Sequence, residues 1–512
     1  MKNWLLTFIL HGLFCVMAVQ SACAAEPVQL RILYLNDFHG YAEPYPSSGH
    51  PEKLGGAAFL ADEIQRQREN HSTLLLAAGD LIQGNPWANL FEGKSTIEWM
   101  NALDFSAMTL GNHEFDFGVD VLNQRVRQAR FPVLAANVRG LPSIQPYVIK
   151  ELSGLKVAIV GLVTEDTPVT THPKNVKGLT FSPVADAAQK IITELNNRAD
   201  LIIVLSHLGF AGDIQLAKTV KGIHVIVGGH SHTRVEKPMK VDETLIVQAW
   251  EHAKALGILD LTIQERKVIQ YDGRLAFIEP EKGKPDPVTL EIIDRYQKKA
   301  ADILNEVIGE AQVDLKGKTS RSGETNLGNL VADILRQKTG SDLALINGGG
   351  IRADILKGPI RMNDILSVLP FTNHPVVLKV SGNELKDIFE YGIADLDGTA
   401  GRFPQVSGIK ITYQAAHPIG QRITRMTIAE APVKPEGWYT LVTNDFLAAG
   451  GDGYVTLKNI LDTMDSKASG STQDNRVLLF DSGRPIRDIV IDFIKEKKNV
   501  SANVEDRIKK ED

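Results

Sequence analysis

From residue 28 onward the chain repeats one pattern: a dense apolar run, a polar cluster, then a stretch with apolar positions three and four apart. LRILYLND ends at Asp37, TLLLAAGD at Asp80, SAMTLGNHE near His113, KVAIVGLVTE near Glu165, LIIVLSH at His207 and HVIVGGHSH at His232. Runs this dense fit central strands buried on both faces better than strands with one face in water. The segments 56–70, 119–129 and 184–197 between them carry the spacing of amphipathic helices. Strands alternating with helices predict an α/β layer architecture. The apolar runs alone leave a parallel sheet and a sandwich of mixed sheets both open.

The pattern breaks at EPEKGKPDP, residues 279–287, with three prolines among charges. VTLEIIDRYQKKAADILNEV then reads as one helix of about five turns. A second domain follows, opening with the helix NLGNLVADILRQKTG and holding the strand-like runs DLALINGG, VVLKVSG, KITYQA and WYTLVTN. The expected division is an export signal at 1–25, a first domain at 26–285, a linker helix at 286–306 and a second domain at 307–512.

Composition changes this picture in two places. Residues 1–25 place Lys2 before the apolar run WLLTFILHGLFCVMAV and end in SACAA, the pattern of a cleavable signal peptide. Cleavage after Ala24 or Ala25 removes both cysteines, Cys15 and Cys23, so the mature chain holds no disulfide. The alternatives are a membrane anchor, for which the run is short, and lipidation at Cys23. The expected location is the periplasm or the exterior, with no stable membrane span after cleavage. The formal charge of −6 argues against binding a nucleic-acid polymer but permits a small anion in a locally positive pocket.

The polar clusters carry the candidate chemistry. Asp37 and His39 are two apart, so in extended backbone their side chains point the same way. Asp80 follows Gly79, Asn112 follows Gly111, His207 closes a buried run, and His230 and His232 repeat the two-residue spacing. Ligands of α/β sheets gather beyond the carboxyl ends of strands. Any one cluster is an ordinary solvated turn; five of them, each ending an apolar run, point to a metal site. The set holds more donors than one ion needs. Oxygen donors mixed with imidazoles suit zinc, manganese or cobalt better than calcium. Two such ions sharing an aspartate would clamp both sides of a displacement at phosphorus, with a metal-activated water as nucleophile.

The ordered set DFHG (37–40), GD (79–80), GNHEFDFG (111–118), SHLG (206–209) and GHSH (229–232) resembles the metallophosphoesterase superfamily, and more closely the 5′-nucleotidase family of secreted and periplasmic enzymes. The resemblance covers nearly the whole mature chain. It implies a four-layer α/β/β/α first domain followed by a mixed α/β substrate-binding domain. It implies that Asp37, His39, Asp80 and His232 hold one ion and that Asp80, Asn112, His207 and His230 hold the other. Family members often carry glutamine or asparagine where this chain has His232. The same resemblance makes His113 the stabiliser of transition-state charge and Asp116 the carboxylate that orients it. An imidazolium backed by a carboxylate suits that work. The alternative for Asp116 is a cap on the following helix, and for Glu114 a hydrogen bond that stabilises the turn.

Four stretches of the second domain complete the resemblance: RSGETNLGN, NGGGIRAD, LPFTN and TNDFLAAGGDGY. They imply that Phe371 and Phe446 stack a base, that Asp452 holds the ribose, and that Arg321 and Arg352 bind the phosphate end. Asn347 and Asn373 are implied polar contacts, and Gly323 stands where some relatives carry another arginine. The expected activity is metal-dependent hydrolysis of nucleoside 5′-monophosphates. 2′,3′-Cyclic-nucleotide phosphodiesterase or nucleotide-diphosphate and nucleotide-sugar hydrolase activity is the alternative, and a non-enzymatic nucleotide-binding protein is a remote third. Monomer and homodimer both stay open.

Overall fold

The structure, a computed structural model, describes residues 26–46, 52–396, 400–462, 476–479 and 484–511. The expected signal peptide and both cysteines lie outside the described residues. Among those described, no helix is long and apolar enough to cross a membrane.

Two six-stranded sheets build the first half. One runs Lys267–Phe277, Ala255–Gln264, Val28–Leu35, Thr73–Ala78, Ala107–Thr109, Val133–Leu134. The other runs Met239–Val241, Thr244–Gln248, Val225–Gly228, Leu201–His207, Leu155–Val163, Tyr147–Leu152. Both are mixed: the central strands pair in parallel, and antiparallel strands lie toward the edges.

The alternation of side chains along each strand explains the layers. Ile32, Tyr34, Leu74 and Leu76 of the first sheet meet Val157, Ile203, Val225 and Val247 of the second in a core between the sheets. Leu33, Leu35 and Leu75 face outward onto helices Ala57–Arg68 and Lys94–Ala102. Val160, Val204 and Ile226 face helices Val184–Leu195 and Phe210–Thr219. The result is the four-layer α/β/β/α arrangement, and strands buried on both faces account for the continuous apolar runs.

Helix Pro287–Leu304 opens with Asp286 accepting from Thr289 N at 2.7 Å and with proline in its first turn. It packs on the first half, with Ile292, Ile293 and Tyr296 in that core and the Tyr296 hydroxyl donating to Glu98 at 2.7 Å. The chain then enters a five-stranded sheet ordered Pro404–Ser407, Leu343–Asn347, Trp438–Asn444, Pro375–Ser381, Val477–Leu479. Helix Asn326–Thr339 covers one face and helix Gly382–Gly392 the other. This second half has its own cores and is a mixed α/β unit.

The halves meet where the strand-end loops gather. Phe371 lies over His113, and Asp445 Oδ2 approaches His172 Nε2 at 3.3 Å and Lys174 Nζ at 3.7 Å.

Candidate metal centre

Loops leaving the carboxyl ends of both sheets converge on one point. Two groups of ligand-type atoms form there, Asp37 with His39 and His232, and Asp80 with His207 and His230, each drawn within 4.8 Å. The groups adjoin each other. Within the second, Asp80 Oδ2 lies 3.1 Å from His207 Nε2; between the two, Asp80 Oδ2 lies 3.9 Å from His39 Nε2 and Asp37 Oδ1 lies 4.0 Å from His207 Nε2. Asn112 is buried, and its side-chain amide donates to the Thr170 carbonyl at 3.2 Å.

The geometry of convergence differs from the expected strand alternation. Asp37 and His39 both have φ 49°, Asp80 has φ 57°, and His230 and His232 have φ 75° and 52°. These residues sit in left-handed turns just beyond the strands, so the turns aim the side chains together. Non-glycine residues in this region carry strain that clusters at functional sites. Glycine appears where backbone must pass close: a Cβ on Gly111 would lie 2.2 Å from Asp80 Oδ1, and one on Gly79 would lie 2.6 Å from His207 Nδ1.

The donor set fits divalent ions. Asn112 Oδ1 is buried without a hydrogen-bond partner, an arrangement too costly to keep unless something else meets it. The far nitrogens are committed elsewhere: His39 Nδ1 bonds the Gln83 carbonyl at 2.8 Å and His207 Nδ1 the Ala78 carbonyl at 2.7 Å. Each contact puts the proton on Nδ1 and turns the Nε2 lone pair into the site. The field favours positive charge there. Burial works against the His207 imidazolium, yet Asp80 outweighs it and holds the pKa up to about 10, so Nε2 carries a proton that a bound cation would displace. His230, buried and beside His207, is pushed down to about 4 and stays neutral, as a ligand must.

His113 stands at the rim, its backbone N–H donating to Asp80 Oδ1 at 2.9 Å and its Nδ1 bonded to Asp116 Oδ2 at 2.6 Å. Burial disfavours its charged form, but Asp116 and Asp80 reverse this and raise its pKa. Asp116 does not cap the next helix, which begins at Gly118 without a side-chain cap. Its other oxygen accepts from the Thr171 hydroxyl at 2.6 Å. Glu114, buried, accepts from the backbone N–H groups of Gly111 at 2.6 Å, Leu81 at 2.7 Å and Asp80 at 2.8 Å. It ties two ligand loops together.

The second half brings its own residues to this cleft. Arg352 sits with its guanidinium 6.0 Å from the Phe371 ring centre, and its charge is felt at His39 and His113. Asn347 donates to Asp452 at 2.6 Å and accepts from Asn444 at 3.1 Å. Burial raises the Asp452 pKa against the pull of Arg321, and burial lowers that of Arg321 to about 10. Phe446 packs its ring against Gly451, where a Cβ would approach within 2.4 Å. A small cavity between Phe371, Asn373 and Asn444 is lined also by Arg487.

Thr171, Gln83, Glu251 and Arg487 escaped the sequence reading. Only Glu251 left a signal there, standing three residues past the apolar run TLIVQ as the other strand-end groups do.

Comparison with known proteins agrees with the geometry. Residues 30–234 match the calcineurin-like phosphoesterase family and residues 307–459 the 5′-nucleotidase C-terminal domain. The chain is 31% identical to a 5′-nucleotidase of Diplobatis ommata over 97% of its own length and 92% of the relative's. It is 32% identical to the trifunctional nucleotide phosphoesterase protein YfkN of Bacillus subtilis over 83% of its length, but spans only 32% of that longer protein. A crystal structure of a 5′-nucleotidase precursor from Thermus thermophilus superposes with a TM-score of 0.85 at 34% identity, covering 94% of this chain and 99% of that one. With both family domains present in order and the candidate ligands at the strand ends gathered at one cleft, the chain belongs to the 5′-nucleotidase family and is a divalent-metal phosphoric ester hydrolase.

Proposed function

We propose that this protein is an exported nucleotidase that hydrolyses nucleoside 5′-monophosphates to nucleoside and phosphate. The observation that carries the reading is the meeting of Phe371 with His113, which brings an aromatic face of the second half beside the two ligand clusters of the first. On this reading residues 26–285 form the catalytic unit, 286–306 the linker helix and 307–512 the nucleotide-binding unit, with 1–25 removed on export to the periplasm or exterior.

Asp37, His39, Asp80 and His232 hold one ion and Asp80, Asn112, His207 and His230 the other, the ions being zinc, manganese or cobalt. When bound, they supply positive charge to the phosphoryl oxygens and an acidified water. His113 donates from Nε2 to the substrate as charge develops, while Asp116 and Thr171 hold its proton on Nδ1 and its ring in place. Arg321 and Arg352 take the phosphate end, Phe371 and Phe446 stack the base, and Asp452, steadied by Asn347, accepts from the ribose. Asn373 contributes a polar contact beside the base.

A phosphate-release panel on the purified protein tests this. AMP hydrolysis that chelator abolishes and added zinc, manganese or cobalt restores is the expected result. No turnover of any 5′-monophosphate by the metal-loaded protein would sink the proposal. The relative named a trifunctional nucleotide phosphoesterase favours including cyclic, diphosphate and sugar nucleotides.

A further inference from the structure

His232 stands where members of the family often carry an amide side chain, and its surroundings show what holds an imidazole in place there. Its Nε2 lies 3.4 Å from Asp37 Oδ1 and 3.3 Å from His39 Nε2, facing the first ligand cluster. Its Nδ1 is bonded to Glu251 Oε2. An amide has no tautomer to settle; an imidazole has two, and only one turns a lone pair toward the cluster.

Glu251 settles it. A carboxylate only accepts, so the proton stays on Nδ1 and Nε2 is left as the donor to a metal. The carboxylate is itself fixed, because Oε1 takes the Lys254 ammonium at 2.5 Å, and that ammonium lies 4.3 Å from the Trp250 ring centre. Lys254 is buried, so this second bond is shielded from water and salt. The contrast with the other ligands is specific. His39 and His207 rest on backbone carbonyls, whereas His232 rests on a charged side chain.

His232, Glu251 and His252 could by proximity hold an ion of their own. Several of their donor atoms are already engaged: both Glu251 oxygens are bonded, and His252 Nδ1 is bonded to the Tyr45 hydroxyl at 2.8 Å.

We propose that Glu251 is the positioning residue of the first metal subsite, fixing His232 so that imidazole serves there in place of an amide and tightening that subsite for zinc and cobalt. The inference rests on the two-metal reading above. A carboxylate behind a histidine ligand makes it a stronger donor, and imidazole favours these ions over magnesium or calcium.

The test is a double-mutant cycle read in metal affinity. Zinc binding to the full mature chain is titrated against a chromophoric chelator for the parent, Glu251→Gln, His232→Gln and the double variant. Two ions on the parent are expected, with Glu251→Gln weakening one of them by about 10- to 100-fold and sparing the other. In the His232→Gln background the same substitution is expected to change affinity less than about twofold, since no imidazole remains to be positioned; this coupling is the mark of one network. Equal losses in both backgrounds, or unchanged zinc affinity in Glu251→Gln, would overturn the role of Glu251 while leaving the two-metal site standing. A parent chain that binds fewer than two ions would overturn the site reading first. Where Glu251→Gln lowers the folded yield, Glu251→Asp, which keeps the charge and shortens the reach, takes its place in the cycle.

Discussion

Phe371 lies over the imidazole of His113, ring centres 5.8 Å apart and planes 27° from parallel. The two residues are far apart in sequence and come from different halves of the molecule, yet they share one cleft. An aromatic face at this place serves a base only if substrate spans both halves, and this gives the first prediction.

Phe371→Ala is expected to raise KM for AMP by about 10- to 100-fold, the range for losing one base–aromatic stack. It should barely change KM for a simple alkyl phosphate, which has no base. Steady-state kinetics on the two substrates decide it. Equal losses on both would mean that Phe371 only supports His113.

Asp116→Asn should shift the pH profile. His113 has a raised pKa because Asp116 and Asp80 overcome the cost of its burial, so its protonated form persists above the usual histidine range. Activity that needs this form holds at neutral pH and falls as pH rises through the raised value. Removing the Asp116 charge lowers that value, so the alkaline limb of kcat should move to lower pH, with kcat down by about 10- to 100-fold. Thr171→Val, which removes only the bond that steadies Asp116, should cost less, about fivefold.

Glu114→Ala is expected to destabilise the fold rather than touch chemistry directly. It strands the buried N–H groups of Asp80, Leu81 and Gly111, each worth about 1–3 kcal/mol when orphaned. A loss above about 3 kcal/mol in denaturant melts of the metal-free chain is the expected outcome. A melt like the parent's would show that water replaces the carboxylate.

Asp445 should hold the halves together down to strongly acid pH. Burial pushes its pKa up, but His172, the His374 backbone N–H and Lys174 prevail and hold it below the usual carboxylate range. A depressed folded pKa gives stability that is present above the unfolded value of about 3.9 and is lost as pH falls through the lower folded one. Small-angle scattering is expected to show a constant radius of gyration from neutral pH to about pH 4 and expansion only below it. Asp445→Asn should already be expanded, or more variable, at neutral pH.

The sequence by itself determined the strands and the chemistry at their ends. Strands buried on both faces must be continuously apolar, so Leu201–His207 and Leu155–Val163 announced themselves. The polar residues closing such runs had no core to enter, which made Asp37, Asp80, His207 and His230 legible as ligand candidates. Tertiary structure alone decided what these residues rest on. The left-handed turns that aim Asp37 and His39 leave no periodicity to read, and the extended spacing suggested by sequence was the wrong reason for their convergence. Thr171 reaches Asp116 across 55 positions, and Phe371 reaches His113 across the two halves. Partners of this kind are set by how sheets and domains pack, and packing distance has no counterpart in distance along the chain.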